Sequence, residues 1–194
     1  MRSCVRRLVL GSGIASVLVV SPAGAEPIRE GFTMEVGIGL AWTQYDDVWY
    51  TVSSTDGESI VRERTSKFGL APLSLSLGGF LSPDLALMAR MAGTSYFDGD
   101  DQLVNGFYGV VVQYWLNDVI FVGGGPGFAV YGPNAFVSRS SVDPGAGFGV
   151  NARLGAMPAS NEEHGFGVVF ELFPSWYAEE MVVGAALNLQ WQLY

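Results

Sequence analysis

The stretch that decides the fold is Gly106–Tyr131, which reads GFYGVVVQYW, then LND, then VIFVGGGPGFAVY. Two apolar runs rich in β-branched and aromatic residues flank the short polar step Asn117-Asp118, a pattern typical of a β-hairpin. Each run has about 10 residues, enough for a tilted strand to cross a bilayer. Such runs would also suit the doubly buried centre of a soluble sheet. The rest of the chain must therefore indicate whether this hairpin faces lipid or a protein core.

The composition favours strands in an apolar environment. Hydrophobic residues make up 49% of the 194 residues, and charged residues only 15%. No uninterrupted apolar run reaches the roughly 20 residues that a membrane-spanning helix requires. Together with 26 glycines and 13% aromatic residues, this composition predicts an all-β chain.

The N-terminus is typical of a secretory signal peptide. Arg2, Arg6 and Arg7 precede a short apolar segment, Leu8–Val20, and a Ser-Pro step then leads to the small-residue site Ala23-Gly24-Ala25. We predict a signal peptide at residues 1–25 and one exported domain at 26–194. Cleavage would remove three of the ten basic residues and none of the 19 acidic ones, leaving a net charge of −12. It would also remove the only cysteine, Cys4, so no disulfides are expected, and the acidic balance argues against a nucleic-acid partner.

Eight strands are predicted from the pattern of apolar residues. In Phe32–Thr43, apolar residues alternate with Thr, Glu, Gly and Ala without a fault, which indicates a strand between two different environments. The full set is Phe32–Thr43, Phe68–Phe80, Leu85–Tyr96, the two runs of Gly106–Tyr131, Gly145–Met157, Gly165–Phe173 and Met181–Tyr194. Connections between next neighbours give an up-and-down meander, and closure into a barrel removes its free edges.

Two kinds of barrel fit this pattern, and they put the apolar face in opposite places. An exported soluble lipocalin-like barrel that binds an apolar ligand would turn the polar face toward water. A membrane barrel would turn the polar face toward its interior. That face is rich in glycine, alanine and serine, which suit the narrow interior of an eight-stranded barrel better than an exposed strand. We therefore favour an antiparallel transmembrane barrel.

Four charges on the polar face are predicted to meet inside this barrel. Glu35, Arg90, Arg153 and Glu171 all lie within about seven residues of a short turn or of the first strand's start, so they should share a similar depth. Two carboxylates and two guanidiniums at one level can neutralise each other away from water. Gln113 falls at a similar depth and is placed inside with them. We expect a structural cluster rather than a catalytic one.

The long polar excursion Tyr45–Lys67 separates the first two predicted strands. Its segment Val48–Val52 is β-prone, so the hairpin is expected to extend past the main sheet. If it projects above the membrane, it would expose a sheet edge that could bind a partner strand. The candidate partner-binding residues in this loop are Asp46, Asp47, Trp49 and Tyr50.

Aromatic residues gather near the predicted strand ends. We interpret them as the girdles that mark both interfaces of an outer-membrane barrel. They are Trp42, Tyr45, Tyr96, Phe97, Phe107, Tyr108, Tyr114, Trp115, Tyr131, Trp176, Tyr177, Trp191 and Tyr194.

From about Phe32 to Tyr194, the chain resembles the small eight-stranded outer-membrane barrels of the OmpA/OmpX type. The more specific features are the turn in Phe80-Leu-Ser-Pro-Asp-Leu-Ala-Leu87 and an amphipathic last strand that ends in an aromatic residue. Tyr194 is out of phase with Trp191 and the leucines before it. The resemblance implies residence in the outer membrane of a Gram-negative bacterium and contact with its lipid. It also implies that the outer-membrane assembly machinery recognises the last strand.

The sequence offers little chemistry. Some barrels of this kind are lipid-modifying enzymes, but the only histidine, His164, falls in a turn that we place on the periplasmic side, away from the outer-leaflet rim where a serine would need such a base. Asp98, Asp100 and Asp101 offer oxygen ligands without the spacing of a complete calcium loop. The run Gly123–Gly127 lacks the lysine and helix of a phosphate loop and is expected to relieve crowding inside the barrel or to bend the strand. We predict no enzymatic activity, no cofactor and no metal, but a filled barrel with a structural or surface-interaction role.

Overall fold

The computed structural model describes residues 27–54, 57–99, 101–133, 145–178 and 181–194, with side chains outside 46–63. The predicted signal peptide, residues 1–25, lies outside these ranges. Within them the chain forms eight strands: β1 Phe32–Ser54, β2 Gly57–Ser82, β3 Leu85–Asp98, β4 Asp101–Trp115, β5 Ile120–Pro133, β6 Gly145–Ser160, β7 His164–Trp176 and β8 Met181–Leu193. No helix in the described ranges is long and apolar enough to span a membrane.

The eight strands close into an antiparallel barrel in which each strand pairs with its neighbours in sequence. β1 and β8 complete the closure, pairing Glu35 with Gln192 and Thr43 with Gly184. Because only next neighbours pair, the barrel is up-and-down, and closure satisfies the edges of its wall. The predicted all-β, eight-stranded antiparallel fold is confirmed.

The outward face of the barrel is apolar. On β4, Val110 and Val112 are well exposed, whereas Val111 between them is fully buried. Other well-exposed apolar side chains include Ile38, Leu40, Leu70, Leu77, Phe128, Leu154, Phe170 and Leu189. Soluble monomers rarely expose a contiguous apolar surface of this kind, whereas an outer-membrane barrel carries an outward apolar band. The wall is therefore a transmembrane one, and the soluble lipocalin-like alternative is wrong.

The short turns lie at the same end of the barrel as the start of β1 and the end of β8, which is the periplasmic end in barrels of this kind. Asn117 Oδ1 shapes the β4–β5 turn by accepting hydrogen bonds from the backbone N–H groups of Val119 at 2.9 Å and Ile120 at 2.8 Å. Asn161 does the same in the β6–β7 turn. Asparagine side chains that mimic a backbone turn in this way suit short connections. The opposite end of the barrel is extracellular.

The first hairpin extends past the main sheet, as the β-prone segment Val48–Val52 led us to expect, but its two strands have wider bounds than predicted. We expected β1 to end at Thr43 and β2 to begin at Phe68, whereas their backbone pairing continues to Ser54 and Gly57. Most residues of the extension are polar, so it lacks the apolar alternation on which the strand predictions rested. Backbone hydrogen bonds between the two strands hold it together.

Several aromatic residues interpreted as interfacial girdles point into the barrel instead. One buried layer, which we call the periplasmic layer, consists of Trp115, Phe121, Met157, Val169 and Tyr194. A second, the extracellular layer, consists of Tyr45, Tyr96, Leu103 and Val182, with Tyr131 and Tyr177 packed against it. Phe107 is also buried, within the core between these two layers.

The phase of each strand explains this difference. Tyr194 continues the inward series of Gln190 and Gln192 rather than the outward series of Leu189 and Trp191. Proximity to a strand end does not determine which face a side chain occupies, because successive residues alternate between the two faces. The girdle interpretation is wrong for the inward residues. It fits others, since Phe97, Tyr108, Tyr114 and Trp176 are well exposed.

Glycines make room for one of the interior rings. Phe107 is 1% exposed, and a Cβ on Gly109 or Gly127 would stand only 2.5 or 2.7 Å from carbon atoms of its ring. Gly109 and Gly127 are partners across the β4–β5 pair, so the ring lies over a strip of wall without side chains. Since protein interiors are close-packed, any larger residue at either position would displace the ring. At Gly127, the glycine run of β5 thus relieves crowding inside the barrel.

Candidate functional site

Four charged side chains meet in the barrel interior. Glu35 lies on β1, Arg90 on β3, Arg153 on β6 and Glu171 on β7, and each is at most 4% exposed. Arg153 and Glu171 are direct partners across the β6–β7 pair. Glu35 and Arg90 are both partners of Ser76 on β2, the strand between them. The barrel therefore brings these four residues together from four different strands.

The four residues form a continuous chain of ion pairs, which we call the charge cluster. Glu35 Oε2 accepts hydrogen bonds from Arg153 Nη1 at 2.6 Å and from Arg90 Nη1 at 3.3 Å. Arg90 also donates a hydrogen bond from Nη2 to Glu171 Oε1. Glu35 therefore bridges the two guanidiniums, and Arg90 bridges the two carboxylates. Their formal charges cancel.

Neutral polar side chains satisfy further atoms of the charge cluster. Ser76 Oγ donates to Glu35 Oε2 at 2.8 Å and accepts from Arg90 Nη1 at 2.6 Å. Asn151 donates to Glu171 Oε2 at 3.3 Å. Arg153 Nη2 donates to the side-chain oxygen of Gln190 at 2.8 Å. Hydrogen bonds to ionised groups are about twice as strong as neutral ones, so this shell offsets part of the cost of burying the charges.

Gln113 lies inside the barrel, in a neighbouring layer. Its Nε2 donates to Gln192 Oε1 at 3.2 Å, and Gln192 Nε2 donates to Thr33 Oγ1 at 3.2 Å. On β1, Thr33 is the next inward residue toward the periplasmic end from Glu35, a member of the charge cluster. On β8, Gln192 is likewise the next inward residue from Gln190, which binds Arg153 of the cluster. The Gln113 chain therefore lies between the charge cluster and the periplasmic layer.

The charge cluster joins strands that are not neighbours in the wall. Its ion pairs link β1 to β3, β1 to β6 and β3 to β7. Contacts of this kind cross the lumen, so they hold opposite parts of the wall at a defined separation. Removal of one partner from a buried pair leaves an uncompensated charge, which makes each member sensitive to substitution.

The candidate partner-binding residues lie on the extended part of the first hairpin. In the backbone, Asp46 pairs with Arg64 and Asp47 with Glu63, and the register shifts between Val48 and Tyr50. Trp49 therefore falls at a bulge. The side chains of Asp46, Asp47, Trp49 and Tyr50 lie outside the described part of the structure.

The candidate acidic ligands lie at the extracellular end. Lys67 Nζ donates to Asp98 Oδ1 at 2.8 Å, and Asp98 pairs with Asp101 in the backbone. Asp100 lies outside the described residues. Within the ranges that the structure describes, no group of three or more His, Cys, Asp or Glu residues could hold a metal ion.

His164 begins β7 at the periplasmic end. Its Nε2 is 3.8 Å from Glu163 Oε2, and its ring centroid is 5.6 Å from that of Trp191. The histidine therefore lies at the opposite end of the barrel from the extended hairpin, as we expected from its turn.

Sequence reasoning missed Arg29, which falls in a polar lead-in without any periodicity. Its side chain is buried at the periplasmic mouth, with Cζ 3.9 Å from the centroid of the Trp115 ring. Nη2 donates to the backbone carbonyl of Asp118 at 2.8 Å. Burial is the main cause that lowers the pKa of the Arg29 guanidinium. Nothing in the local sequence signals these contacts, because they join segments far apart in the chain.

Comparisons with known proteins bear on the fold. No protein-family model and no curated protein matches the chain. Among solved structures, it is similar to Neisserial surface protein A of Neisseria, with a TM-score of 0.50 and 14% identity over 84% of this chain and 99% of that chain. It is also similar to the attachment invasion locus protein Ail of Yersinia pestis, with a TM-score of 0.49 and 15% identity over 83% of this chain and 98% of that one. For the outer membrane protein OprG of Pseudomonas aeruginosa, the TM-score is 0.46 and the identity is 11%, over 87% of this chain and 98% of that one.

The similarity to Neisserial surface protein A, at 14% identity, concerns the fold alone, and it confirms the predicted resemblance to small eight-stranded outer-membrane barrels. The closed antiparallel wall and its apolar outward face define the same class on physical grounds. The chain is an integral β-barrel protein of the outer membrane.

Proposed function

We propose that this protein is a filled, non-enzymatic barrel that anchors an extracellular hairpin, residues 45–67, through which it binds a protein or surface outside the cell. The observation that carries this proposal is the length of the hairpin. Pairing between β1 and β8 ends at Gln44 and Val183, whereas pairing between β1 and β2 continues to Ser54 and Gly57.

The packing of interior side chains supports a filled lumen. The periplasmic layer, the charge cluster and the extracellular layer occupy three different levels of the lumen, and Trp115, Glu35 and Tyr96 at these levels are at most 1% exposed. An eight-stranded barrel is just wide enough for its own side chains to fill it. A barrel filled in this way does not favour a role as a wide channel, so the exposed parts are the better candidates for function.

The register of the first hairpin supports binding at a strand edge. Among the described residues, pairing between β2 and β3 ends at Leu70 and Ser95, and β1 beyond Gln44 pairs with β2 alone. An unpaired strand edge presents N–H and C=O groups to which a partner can add a strand. In this proposal, main-chain hydrogen bonds supply affinity. Selectivity comes from the candidate residues Asp46, Asp47, Trp49 and Tyr50.

Two further expectations belong to this proposal. Recognition of β8 by the outer-membrane assembly machinery stays a prediction, supported by the regular alternation of outward Leu187 and Leu189 with buried Asn188 and Gln190. A non-enzymatic role is supported by the position of His164, the one histidine in the sequence, at the end of the barrel away from the hairpin.

A shortened hairpin tests the proposal. Residues 48–62 are replaced by Asn-Gly, a sequence that favours a two-residue turn. This turn then connects Asp47 with its pairing partner Glu63. Random ten-residue peptides displayed on phage are selected against the full-length barrel in lipid nanodiscs. We expect the selected peptides to bind the intact barrel about tenfold or more tightly than the shortened one. The reason is that the shortened barrel lacks most of the hairpin edge to which a peptide strand could pair.

Two controls sharpen this comparison. A heat-dependent shift in gel mobility reports whether the shortened barrel is folded. The double substitution Trp49→Ala/Tyr50→Ala keeps the backbone edge, so it should change which peptides are selected without abolishing binding. Peptides that bind the intact and shortened barrels equally would overturn the proposal.

A further inference from the structure

Residues 27–31 cross the periplasmic mouth of the barrel. The backbone N–H of Ile28 donates to the carbonyl of Glu162 in the β6–β7 turn at 3.0 Å. Two residues before the end of β2, the N–H of Phe80 donates to the carbonyl of Gly31 at 2.8 Å. Gly31 has a φ of +71°, a left-handed conformation that glycine adopts readily. The segment therefore runs from one turn across the mouth and bends there into β1.

Arg29 fastens the middle of this segment. Its Cζ lies 3.9 Å from the centroid of the Trp115 ring and 5.6 Å from that of Tyr194, two members of the periplasmic layer. Its Nη2 binds the Asp118 carbonyl at 2.8 Å, and its Nη1 lies 3.7 Å from the Asp118 carboxylate. A guanidinium over the face of a tryptophan is attracted by the ring, and more strongly when water is excluded. Arg29 therefore covers the periplasmic layer and touches a third region, the β4–β5 turn.

Arg29 is held by contacts that leave part of its charge unpaired, so its side chain can be released. Its Nε has no hydrogen-bond partner in the described structure, and burial of an incompletely paired charged group costs free energy. Its acidic partner Asp118 has 69% of its side chain exposed, where water and salt weaken an ion pair. The ring contacts with Trp115 and Tyr194 and the hydrogen bond to the Asp118 carbonyl are the other parts of the attachment.

We propose that residues 27–31 form a strap that closes the periplasmic mouth and that Arg29 is its latch. With Arg29 seated on Trp115, the strap separates the periplasmic layer from the periplasm. When Arg29 leaves, the mouth opens first onto this layer and then onto the polar chain of Gln113 and Gln192 above it. The strap thus controls access to the interior from one side of the membrane.

Cysteine accessibility tests the strap. In a Cys4→Ser background, the chain has no other cysteine, so Met157→Cys places a single thiol in the periplasmic layer, where Met157 is fully buried. The full chain in nanodiscs is treated with a charged methanethiosulfonate reagent. Loss of the cation–π contact in Arg29→Ala should speed labelling at residue 157 by about tenfold.

Matched variants separate an open mouth from a loosened barrel. Thr94→Cys, fully buried nearer the extracellular end, should be labelled at the same rate with and without Arg29. Arg29→Lys keeps the charge but loses the planar face that stacks on Trp115, so its rate should be intermediate. Equal labelling of residue 157 in the parent and in folded Arg29→Ala would overturn the proposal. So would a parallel increase at residue 94.

Should Arg29→Ala fail to fold, as judged by the heat-dependent gel shift, Arg29→Gln provides the second comparison. Glutamine keeps a polar planar end but lacks the charge that the tryptophan face attracts. Labelling at residue 157 should still rise severalfold in this variant. An unchanged rate would again contradict the latch.

Discussion

A nearly isosteric change in the charge cluster should be costly. Glu35→Gln keeps the shape of the side chain but removes the charge that faces Arg153 at 2.6 Å and Arg90 at 3.3 Å. The formal charge of the cluster changes from zero to +1. Because Glu35 is fully buried, water cannot take the place of the lost carboxylate.

The magnitude follows from the remaining partners. Arg90 keeps Glu171, whereas Arg153 keeps the neutral side chain of Gln190. Removal of one member of a buried ion pair costs about 3–5 kcal/mol, chiefly because the other charge is left uncompensated. We therefore expect the free energy of unfolding to fall by about 4 kcal/mol. That is a large share of the roughly 5–15 kcal/mol that stabilises a typical protein.

Urea unfolding of the barrel in lipid vesicles, followed by tryptophan fluorescence, measures this loss. Glu163→Gln makes the same chemical change on a side chain that is 80% exposed, so it should change stability by no more than about 0.5 kcal/mol. The double variant Glu35→Gln/Arg153→Gln restores a neutral cluster and should recover part of the loss through coupling between the two sites. A Glu35→Gln barrel within about 1 kcal/mol of the parent would refute the reasoning, since a buried pair would then be contributing no more than an exposed one.

Three other predictions follow from the same structure. Phe107→Ala should lower the free energy of unfolding by about 3–5 kcal/mol, because it leaves a cavity beside Gly109 and Gly127, whereas Phe97, which is 62% exposed, should lose far less on the same change. Equal losses in urea unfolding would contradict the interior packing of Phe107. Val112→Arg should lower the free energy of unfolding by about 2–4 kcal/mol because it puts a charge on the lipid face, and Leu116→Arg, near the periplasmic interface, by about 0–1 kcal/mol. A larger loss at Leu116 than at Val112 would contradict the placement of the β4–β5 turn at that interface. Replacing residues 48–62 by Asn-Gly should lower stability by less than about 1 kcal/mol, because the described pairing of β1 with β8 and of β2 with β3 ends before this segment and such segments open independently of the core. A larger loss would show that the hairpin supports the barrel.

On the strands that carry the charge cluster, the alternation of apolar and polar residues was enough to predict which face is buried. Glu35, Arg90, Arg153 and Glu171 were assigned to the interior because each falls between outward apolar neighbours, and each is buried in the structure. A strand has a period of two, so one well-determined residue sets the phase of its whole face. The topology followed from the number of strands and from their short connections.

The failures have physical causes as well. Trp115 and Tyr194 were assigned to girdles by residue type and position, although the phase of their own strands places them inside. The extension of the first hairpin was expected from Val48–Val52 alone, and its bounds at Ser54 and Gly57 escaped prediction because the polar residues beyond Thr43 carry no apolar alternation. Arg29 could not be found at all, since its contacts with Trp115 and Asp118 depend on the closed barrel bringing distant segments together.

Which face of the wall meets lipid is tested most directly by spin labels at Val110 and Val111, adjacent residues on β4 that are 52% and 0% exposed. In lipid vesicles, collisions with oxygen report contact with the bilayer, and collisions with a water-soluble nickel chelate report contact with water. We predict strong oxygen and negligible nickel collisions at Val110, and weak collisions with both at Val111. Strong nickel collisions at Val110 would contradict the transmembrane barrel.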